Sequence, residues 1–370
     1  WASPANNPGH FSPLGKPLSF PGLVQRLVVS PAGNRLLVLG AAEEALLFRF
    51  DPDQGGNGLR PVGQPLRHLD WVKHGQFTPD GKYVVTGSMD GTVQRWEADS
   101  GFAVGAPIQH PGPVEAMDLA PDGKSLAAAY WVVLRQNVLA PRIEGFGPPG
   151  FGPMPPPGDA LQVPGAEVCL WNLFTGEPLC LPLAHPGRVK VVRFAPDGKT
   201  LATGGFLWDN QKKRPSRGEV RLWDTSTLQS KTKLLPLRGD PLVHGNAVWD
   251  LAFSPDNRFV LTGCEDMHSR LWYHATGKLV APPLQHEGNV VQVAFHPHGG
   301  MALTASAGGV NGAAARLWDL PNPQTASRFL RQPSWVSSLA WSPDGQDLVT
   351  GGEDGLVRHF RVADYRLLGE

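Results

Sequence analysis

The sequence is poor in cysteine, in long apolar runs and in any excess of charge of one sign, and each shortage excludes a class of protein. Three cysteines among 370 residues are too few for a disulfide framework. No apolar run is long enough to cross a bilayer. Lysine plus arginine equals aspartate plus glutamate, at 33 each. That balance argues against a bulk electrostatic grip on nucleic acid or on an anionic membrane.

The start of the sequence also shows no secretory signal. The first residues, Trp1 to Pro4, have no initiating Met, no basic region and no apolar core. We therefore expect the chain to begin partway through a longer gene product or to have been trimmed. The cellular compartment stays open, with a cytoplasmic location favoured.

The three cysteines leave two interpretations open. Cys169 and Cys180 flank a short predicted hairpin and could form a disulfide, but free cysteines commonly pack as small buried hydrophobic residues. Cys264 falls in a predicted turn. The redox state of the compartment does not follow from these positions.

Glycine and proline, at 44 and 37 residues, are abundant and mark regular turns. The turns belong to a phrase that occurs seven times: a valine, an aromatic or aliphatic residue five positions later, and then Ser/Thr/Ala-Pro-Asp-Gly or a weaker copy. The copies start at Val24, Val72, Val114, Val189, Val248, Val290 and Val336. Their prolines are spaced by 48, 42, 75, 59, 42 and 46 residues, which indicates a repeat unit of about 42 residues with insertions.

Each unit reads as four β-strands, which we name a to d. Alternating apolar residues predict strand a before the Pro-Asp-Gly turn, then strands b, c and d, with an aromatic residue near the end of strand c. Four antiparallel strands cannot bury both faces alone, so the units must stack radially and share a core. Seven strand-c aromatic sites predict seven such units in an all-β chain.

The repeats resemble the WD40-repeat family over nearly the whole chain. The resemblance implies a single seven-bladed β-propeller spanning residues 1–370, with four antiparallel strands per blade. It also implies a structural quartet in each blade: a His before strand a, a Ser or Thr in strand b, an Asp in the b–c turn and the Trp of strand c. Two units carry the whole quartet: His68, Thr86, Asp90 and Trp96, and His244, Thr262, Asp266 and Trp272.

The same resemblance assigns other residues to the scaffold. His110, His185 and His286 occupy the quartet's His position, which makes them structural residues rather than metal ligands or catalytic bases. The first and last units depart from the pattern: Phe20 and Gln332 replace the His, Phe50 and Phe360 replace the Trp, and Val38 replaces the Ser or Thr.

Two segments compete for the outer strand of the last blade. Residues 11–20, "FSPLGKPLSF", align with the strand-d segments of other units, and we expect them to close the propeller by supplying this strand. The C-terminal "DYRLLGE" also begins like a strand d. Either the C-terminal piece is surplus, or the native protein continues into more blades.

Most of the additional sequence lies between strands b and c. A Pro- and Gly-rich insertion at residues 131–166 is the longest, and shorter ones follow in the units of Pro196 and Pro297. Family geometry places the b–c and d–a loops on one rim, conventionally the top. Phe146 and Phe151 of the long insertion could pack on the propeller or bind a partner. A mobile insertion and a binding loop are equally good interpretations.

Five tryptophans are not required by the repeat, and all map to the predicted top rim: Trp71, Trp131, Trp208, Trp249 and Trp335. Exposed tryptophans are enriched at binding hot spots. The alternative is structural: Trp131 and Trp208 cover the bases of their own insertions, while Trp71 and Trp335 wedge between blades.

Charged residues of mixed sign accompany these tryptophans. The candidates are Arg26, Lys73, His74, Glu115, Arg188, Lys190 and Asp250. The run "NQKKRPSRG" lies beside Trp208 and could bind an acidic peptide or a phosphate. Such a run is more often a solvated loop.

No phosphate-binding loop, zinc-protease motif, nucleophile elbow or kinase catalytic set is present. We therefore expect a non-enzymatic scaffold that binds a protein or peptide across the top rim, without cofactor, metal or nucleic acid; the oligomeric state stays open. One alternative is a regulatory module of a larger protein, because "GKLVAPPLQHEGNVVQVAFHPHG" looks like WD-repeat segments of bacterial proteins fused to serine/threonine kinases. Another is a small-molecule or hydrolytic site in the central channel.

Overall fold

Seven successive segments of the chain each fold into an antiparallel sheet, and this repetition organises the molecule. The computed structural model describes residues 24–40, 42–50, 59–131, 165–209, 211–212, 214–228, 233–307, 313–320, 327–332, 335–342, 344–352, 354, 357–363 and 367–369. These residues contain 29 strands. No helix in the described ranges has the length and apolarity needed to cross a membrane.

The first compact unit, within residues 15–189, contains three sheets. Sheet 1 consists of β1 (Val24–Val29), β2 (Arg35–Gly40), β3 (Glu44–Phe50), β4 (Leu59–Pro61) and β5 (Leu66–Arg67). Sheet 2 consists of β6 (Val72–Phe77), β7 (Tyr83–Ser88), β8 (Thr92–Glu97) and β9 (Ile108–Gln109). Sheet 3 consists of β10 (Val114–Leu119), β11 (Ser125–Trp131), β12 (Ala166–Asn172) and β13 (Leu183–His185).

The second compact unit, from Lys190 onward, contains four sheets. Sheet 4 consists of β14 (Arg188–Phe194), β15 (Thr200–Asp209), β16 (Arg214–Asp224) and β17 (Leu242–His244). Sheet 5 consists of β18 (Val248–Phe253), β19 (Phe259–Cys264), β20 (His268–Tyr273) and β21 (Leu284–Gln285). Sheet 6 consists of β22 (Asn289–Phe295), β23 (Met301–Ala307), β24 (Ala313–Asp319) and β25 (Ser327–Gln332). Sheet 7 consists of β26 (Val336–Trp341), β27 (Asp347–Gly352), β28 (Val357–Arg361) and β29 (Leu367–Gly369).

Every sheet has its strands in the order a, b, c, d. In sheet 1 the fourth strand is split, and β4 and β5 both pair with β3. Seven sheets of this kind have the fold of a seven-bladed β-propeller, and the predicted fold class is confirmed. Each predicted valine lies at the first or second residue of its strand a.

The Pro-Asp-Gly phrase forms a tight turn between strands a and b. In sheet 2 the Asp80 carboxylate accepts hydrogen bonds from the Thr78 hydroxyl (2.6 Å) and the Lys82 amide (3.1 Å). Gly81 follows with φ of +68°, a conformation that disfavours residues with a Cβ. In sheet 5 the same position is Asn257, with φ of 59°. Asparagine tolerates this conformation better than other residues with a Cβ.

The core lies between consecutive sheets of each unit. In the first unit Leu37 and Leu47 of sheet 1 pack with Val72 and Val84 of sheet 2. In the second unit Ala202 and Val220 of sheet 4 pack in one cluster with residues of sheet 5. This arrangement explains the apolar alternation in the sequence, because one face of each sheet covers a neighbour.

The outer strand of sheet 7 is the C-terminal β29, which pairs with β28. This is the position for which the sequence offered two candidates. Residues 11–20 lie outside the described residues, so closure by this segment stays a prediction. The core of the long insertion also lies outside them, although Trp131 and Ala166 at its two ends pair with each other across β11 and β12.

All three cysteines are free and buried, so Cys169 and Cys180 do not form the disulfide that the sequence left open. The turn prediction for Cys264 was wrong, because this residue ends β19 and pairs with Val248. Its apolar neighbours in "FVLTGC" continue the strand by one residue more than the turn signal suggested.

Candidate interaction surface at the bc ends of the sheets

The two ends of each sheet differ in what they carry. In sheet 2 the first residue of strand a, Val72, pairs with the last residue of strand b, Ser88. The d–a connection and the b–c turn therefore share one end of a sheet, which we call its bc end. The a–b turn and the c–d connection share the other, which we call its ab end. The sequence predicted binding residues at the bc ends.

Polar networks occupy the bc end of several sheets. In sheet 2 the Thr86 hydroxyl accepts a hydrogen bond from Trp96 Nε1 (2.7 Å) and lies 2.7 Å from His68 Nε2. His68 Nδ1 lies 2.9 Å from the Thr92 hydroxyl and 3.3 Å from the Asp90 carboxylate. Asp90 also accepts the Leu69 amide. These bonds hold the d–a connection and the b–c turn together.

Sheet 5 uses the same residue types with a different Asp partner. Thr262 connects Trp272 Nε1 (3.1 Å) and His244 Nε2 (2.8 Å), as in sheet 2. The other ring nitrogen of His244 faces the Leu242 carbonyl at 3.0 Å. Asp266 instead accepts two hydrogen bonds from Arg270 and one from the Gly245 amide.

Sheet 3 lacks the hydroxyl of this network, whereas sheet 6 keeps it. In sheet 3 Ala128 occupies the hydroxyl position, and Trp171 Nε1 donates directly to His110 Nε2 at 3.0 Å. In sheet 6 Thr304 lies 2.8 Å from His286 Nε2 and accepts from Trp318 Nε1 at 2.9 Å.

Burial determines the charge state of these histidines. It lowers the pKa of His110 to about 4. Burial, with the nearby charge of Arg270, lowers the pKa of His244 to about 4. Burial, with Arg316, lowers the pKa of His286 to about 3. The three rings are therefore neutral at neutral pH and serve as hydrogen-bonding groups of the scaffold.

Side chains on strands a hydrogen-bond to the next strand a. Gln76 of β6 accepts the Leu119 amide of β10 at 3.0 Å, and its own amide donates to Asp118 at 2.8 Å. Asp250 of β18 accepts the Val293 amide of β22 at 3.1 Å. These polar groups of the innermost strands are engaged in joining sheets. No group of three or more His, Cys, Asp or Glu with metal-binding geometry occurs among the described residues.

Trp71 and Trp335 lie at bc ends and are partly exposed. Their exposed fractions are 42% and 46%. Each precedes a strand a, β6 or β26, and so lies on a d–a connection. The backbone around Trp71 is fixed, because its carbonyl accepts the Met89 amide of the b–c turn at 2.9 Å. An indole held in this way is accessible on a rigid support.

Four of the predicted residues of the first unit are linked around one carboxylate. Lys73 Nζ lies 3.0 Å from the buried Glu115 carboxylate. The Arg188 guanidinium stacks on the Trp131 ring, 4.0 Å from its centroid. Burial lowers the pKa of Arg188, and the charge of Glu115 opposes this shift. All four residues lie in the first unit, where the cluster joins sheet 2 to sheet 3.

A second cluster, in the second unit, contains Lys190, Trp208 and Trp249. Phe206 lies between the two indoles, with its centroid 6.3 Å from each. Lys190 Nζ lies 6.0 Å from the centroid of Trp249. Both tryptophans are half-buried, so this cluster is partly structural.

Phe206 was missed by the sequence reasoning, although its alternation with Trp208 in "GGFLWD" is a strand signal. The reason is that the basic and proline-containing sequence after it favoured a loop. Phe146 and Phe151, the two candidates in the long insertion, lie outside the described residues.

The fold defines the chain as a β-propeller of seven four-stranded blades. It contains WD40 repeats in four regions: the family model described as "WD domain, G-beta repeat" matches residues 61–97, 176–224, 241–273 and 325–361. A solved structure with the same fold is the computationally designed Ika8 protein, with a TM-score of 0.65 and 18% identity. The alignment covers 95% of this chain and 88% of Ika8.

Curated relatives match at lower coverage of their own length. Actin-interacting protein 1 of Drosophila melanogaster is 25% identical over 88% of this chain and 54% of the relative. The ribosome biogenesis protein WDR12 homolog of Drosophila yakuba is 24% identical over 80% and 62%. The small ribosomal subunit protein RACK1y of Oryza sativa subsp. japonica is 28% identical over 49% and 50%.

The chain thus spans between half and about three fifths of these relatives. All three relatives are eukaryotic proteins, and none of them supports the bacterial origin that the repeat style suggested.

Proposed function

We propose that this chain is a non-enzymatic scaffold that binds a protein or peptide at the bc ends of its blades. The observation that carries the proposal is the pair Trp71 and Trp335. The repeat requires neither residue, both are more than two fifths exposed, and both lie on d–a connections. A large rigid indole at such a position contributes binding area at a low cost in side-chain entropy.

The chemistry of the polar residues supports the same proposal. Four histidines with lowered pKa values have partners inside the protein: His244 and His286 bond within their quartets, His110 bonds to a tryptophan, and His74 faces the Glu115 carbonyl. They therefore stabilise the blades instead of meeting solvent as acids or bases. The name of one relative states an interaction with actin, and two others are named for the ribosome. These names favour macromolecular binding as the class of function.

The test is partner capture by a double variant, Trp71→Ala/Trp335→Ala. A matched control removes two exposed aromatic rings from ab ends, Phe102→Ala/Tyr273→Ala, whose residues are 69% and 42% exposed. Tagged wild type and both variants are incubated with extract of the source cells, and captured proteins are quantified by mass spectrometry. A tryptophan that acts as a hot spot contributes about 2 kcal/mol, which is roughly 30-fold in affinity.

We expect the tryptophan variant to lose the specifically captured proteins and the control to keep them, with both melting temperatures close to that of the wild type. Equal capture by the two variants would contradict the proposal. A second result would also contradict it. In that result the tryptophan variant has full hydrolytic or transfer activity and still captures the same proteins as the wild type.

A further inference from the structure

We propose that a basic ribbon projecting from sheet 4 binds an acidic peptide segment through Arg214 and Arg217. The ribbon consists of residues 207–209 of β15 and 214–217 of β16. The inference rests on the proposed function in one respect, because it identifies the chemistry of the protein partner.

The ribbon exists because strands b and c of sheet 4 continue past the other two strands. β15 has 10 residues and β16 has 11, whereas strands b and c of the other sheets have five to seven. The last residue of β16 that pairs with strand d is Gly218, opposite His244. Beyond it, β15 and β16 pair only with each other, down to Asp209 opposite Arg214. Three further residue pairs of about 3.3 Å each extend the ribbon by roughly 10 Å.

The two faces of the ribbon have different chemistry. Paired residues of antiparallel strands share a face, and successive residues alternate. Trp208 pairs with Pro215 and lies on the same face as Phe206. Phe206 lies against Trp249 of sheet 5, so this face supports the ribbon.

The opposite face carries the arginines. Arg217 pairs with Leu207, and Arg214 pairs with Asp209. The register shift between Leu207 and Trp208 leaves Ser216 as the extra residue of a bulge, which places both arginines on one face.

Within the described residues the arginines of the ribbon have no carboxylate partner. Both are exposed, and neither guanidinium makes an ion pair or a hydrogen bond within the described residues. The nearby carboxylates are engaged elsewhere. Asp209 accepts the amides of Gln211 and Lys212, and Glu219 pairs with Arg221 Nε at 2.8 Å. Two planar, unpaired guanidinium groups on one face are suited to carboxylates.

An acidic peptide fits this surface better than the alternatives. Strand addition to the β16 edge is disfavoured because Pro215 has no amide hydrogen to donate. Proteins that bind duplex DNA commonly make six to ten phosphate contacts, at least three times what the two arginines of the ribbon provide. The chain as a whole has no net positive charge to supplement them. A short run of Asp or Glu complements the charge of the two arginines and needs no contact with other basic residues.

The experiment uses the full chain and a fluorescein-labelled decapeptide of glutamate, with a decapeptide of glutamine as the uncharged probe. Binding is measured by fluorescence anisotropy at about 50 mM salt, where screening is weak, and again at high salt. The variant is Arg214→Ala/Arg217→Ala. The control, Arg49→Ala/Arg361→Ala, removes the same charge from two exposed arginines at ab ends. Thermal melting confirms that both variants are folded.

We expect the wild type to prefer glutamate to glutamine and to lose that preference at high salt. Two exposed ion pairs contribute up to about 1 kcal/mol each, so the ribbon variant should bind the glutamate peptide roughly tenfold more weakly. The control should bind within about twofold of the wild type. Equal weakening by both variants would overturn the inference. Tighter, ribbon-dependent binding of an oligothymidylate of the same length would also overturn it, in favour of a nucleic acid site.

The two proposals fail separately. Absence of glutamate binding, together with capture that depends on Trp71 and Trp335, would remove the acidic-peptide inference and leave the scaffold function standing. If the glutamate peptide binds through the ribbon but protein capture is unchanged in the Trp71→Ala/Trp335→Ala variant, the two tryptophans are not the binding residues.

Discussion

A buried threonine hydroxyl joins three segments in sheets 2, 5 and 6. In sheet 6 Thr304 is fully buried and accepts the indole N–H of Trp318. Because His286 Nδ1 faces the Leu284 carbonyl, this nitrogen carries the ring proton, and Nε2 accepts the Thr304 hydroxyl proton. Every polar atom of this chain of bonds has a partner, which is the condition under which a buried network stabilises a fold.

Thr304→Val tests how much that hydroxyl contributes to the free energy of unfolding. Valine fills the same volume but leaves the Trp318 N–H and His286 Nε2 without a partner in a dry environment. An unsatisfied buried group costs about 1–3 kcal/mol, so we expect the free energy of unfolding to fall by about 3 kcal/mol. Urea unfolding followed by tryptophan fluorescence measures it.

The matched control is Thr276→Val, because Thr276 is exposed and should cost less than about 0.5 kcal/mol. A loss at Thr304 no larger than the loss at Thr276 would show that the network adds nothing to stability.

The sequence could place the quartet residues but not all their bonds. His244, Thr262 and Trp272 occur at the expected spacing, and the structure joins them through Thr262. The partner of Asp266 was not predictable from that spacing, because Arg270 is a strand residue whose side chain competes for the carboxylate. In sheet 2 the equivalent residue is Gln94, which bonds backbone carbonyls instead.

At the scale of elements, the base of the ribbon depends on one glycine. Gly218 is the residue where β16 leaves strand d. A Cβ at this position would lie 2.0 Å from the Asn246 carbonyl oxygen and 3.1 Å from a Val248 methyl carbon. The first contact is with a backbone atom, which cannot relieve the overlap by a rotamer change as a side chain can.

We therefore expect Gly218→Ala to lower the melting temperature strongly, because the connection to β18 must move. Gly33→Ala is the control. Gly33 has φ of +69° and open space around its Cβ position. Alanine there should lower the free energy of unfolding only by the cost of the left-handed conformation, about 1–2 kcal/mol. Differential scanning calorimetry compares the two. A smaller effect at Gly218 than at Gly33 would show that the close approach is not limiting.

The pairing of the ribbon strands was not predictable from the sequence, although the strand starts were. The strand starts were predictable because Val72, Val114 and Val248 stand at fixed distances from their turns. The ten additional residues between Thr203 and Trp223 were interpreted as an insertion, since Lys, Arg and Pro are typical of loops. The pairing of β15 with β16 is a contact between two strands that the local pattern does not encode, and it is stabilised by Phe206 against Trp249.

At the scale of the whole molecule, buried neutral histidines make stability depend on pH. Burial, helped by Lys73 and Arg26, lowers the pKa of His74 to about 3. His110 and His244 lie near 4, and His286 near 3. In the unfolded chain a histidine titrates near 6.5. Between these values the unfolded state binds protons that the folded state excludes.

The histidines should therefore leave the free energy of unfolding unchanged between about pH 7 and 8 and lower it as the pH falls from about 6.5 towards 4. Each such histidine contributes a slope of up to about 1.4 kcal/mol per pH unit. His286→Asn should reduce this slope while lowering stability at neutral pH, because it removes both the excluded proton and the bond to Thr304. Urea titrations at intervals across this pH range measure the slope. Two outcomes would contradict the assignment of these rings as neutral parts of the scaffold. One is a free energy of unfolding that stays constant down to pH 4, and the other is an equal slope in the His286 variant.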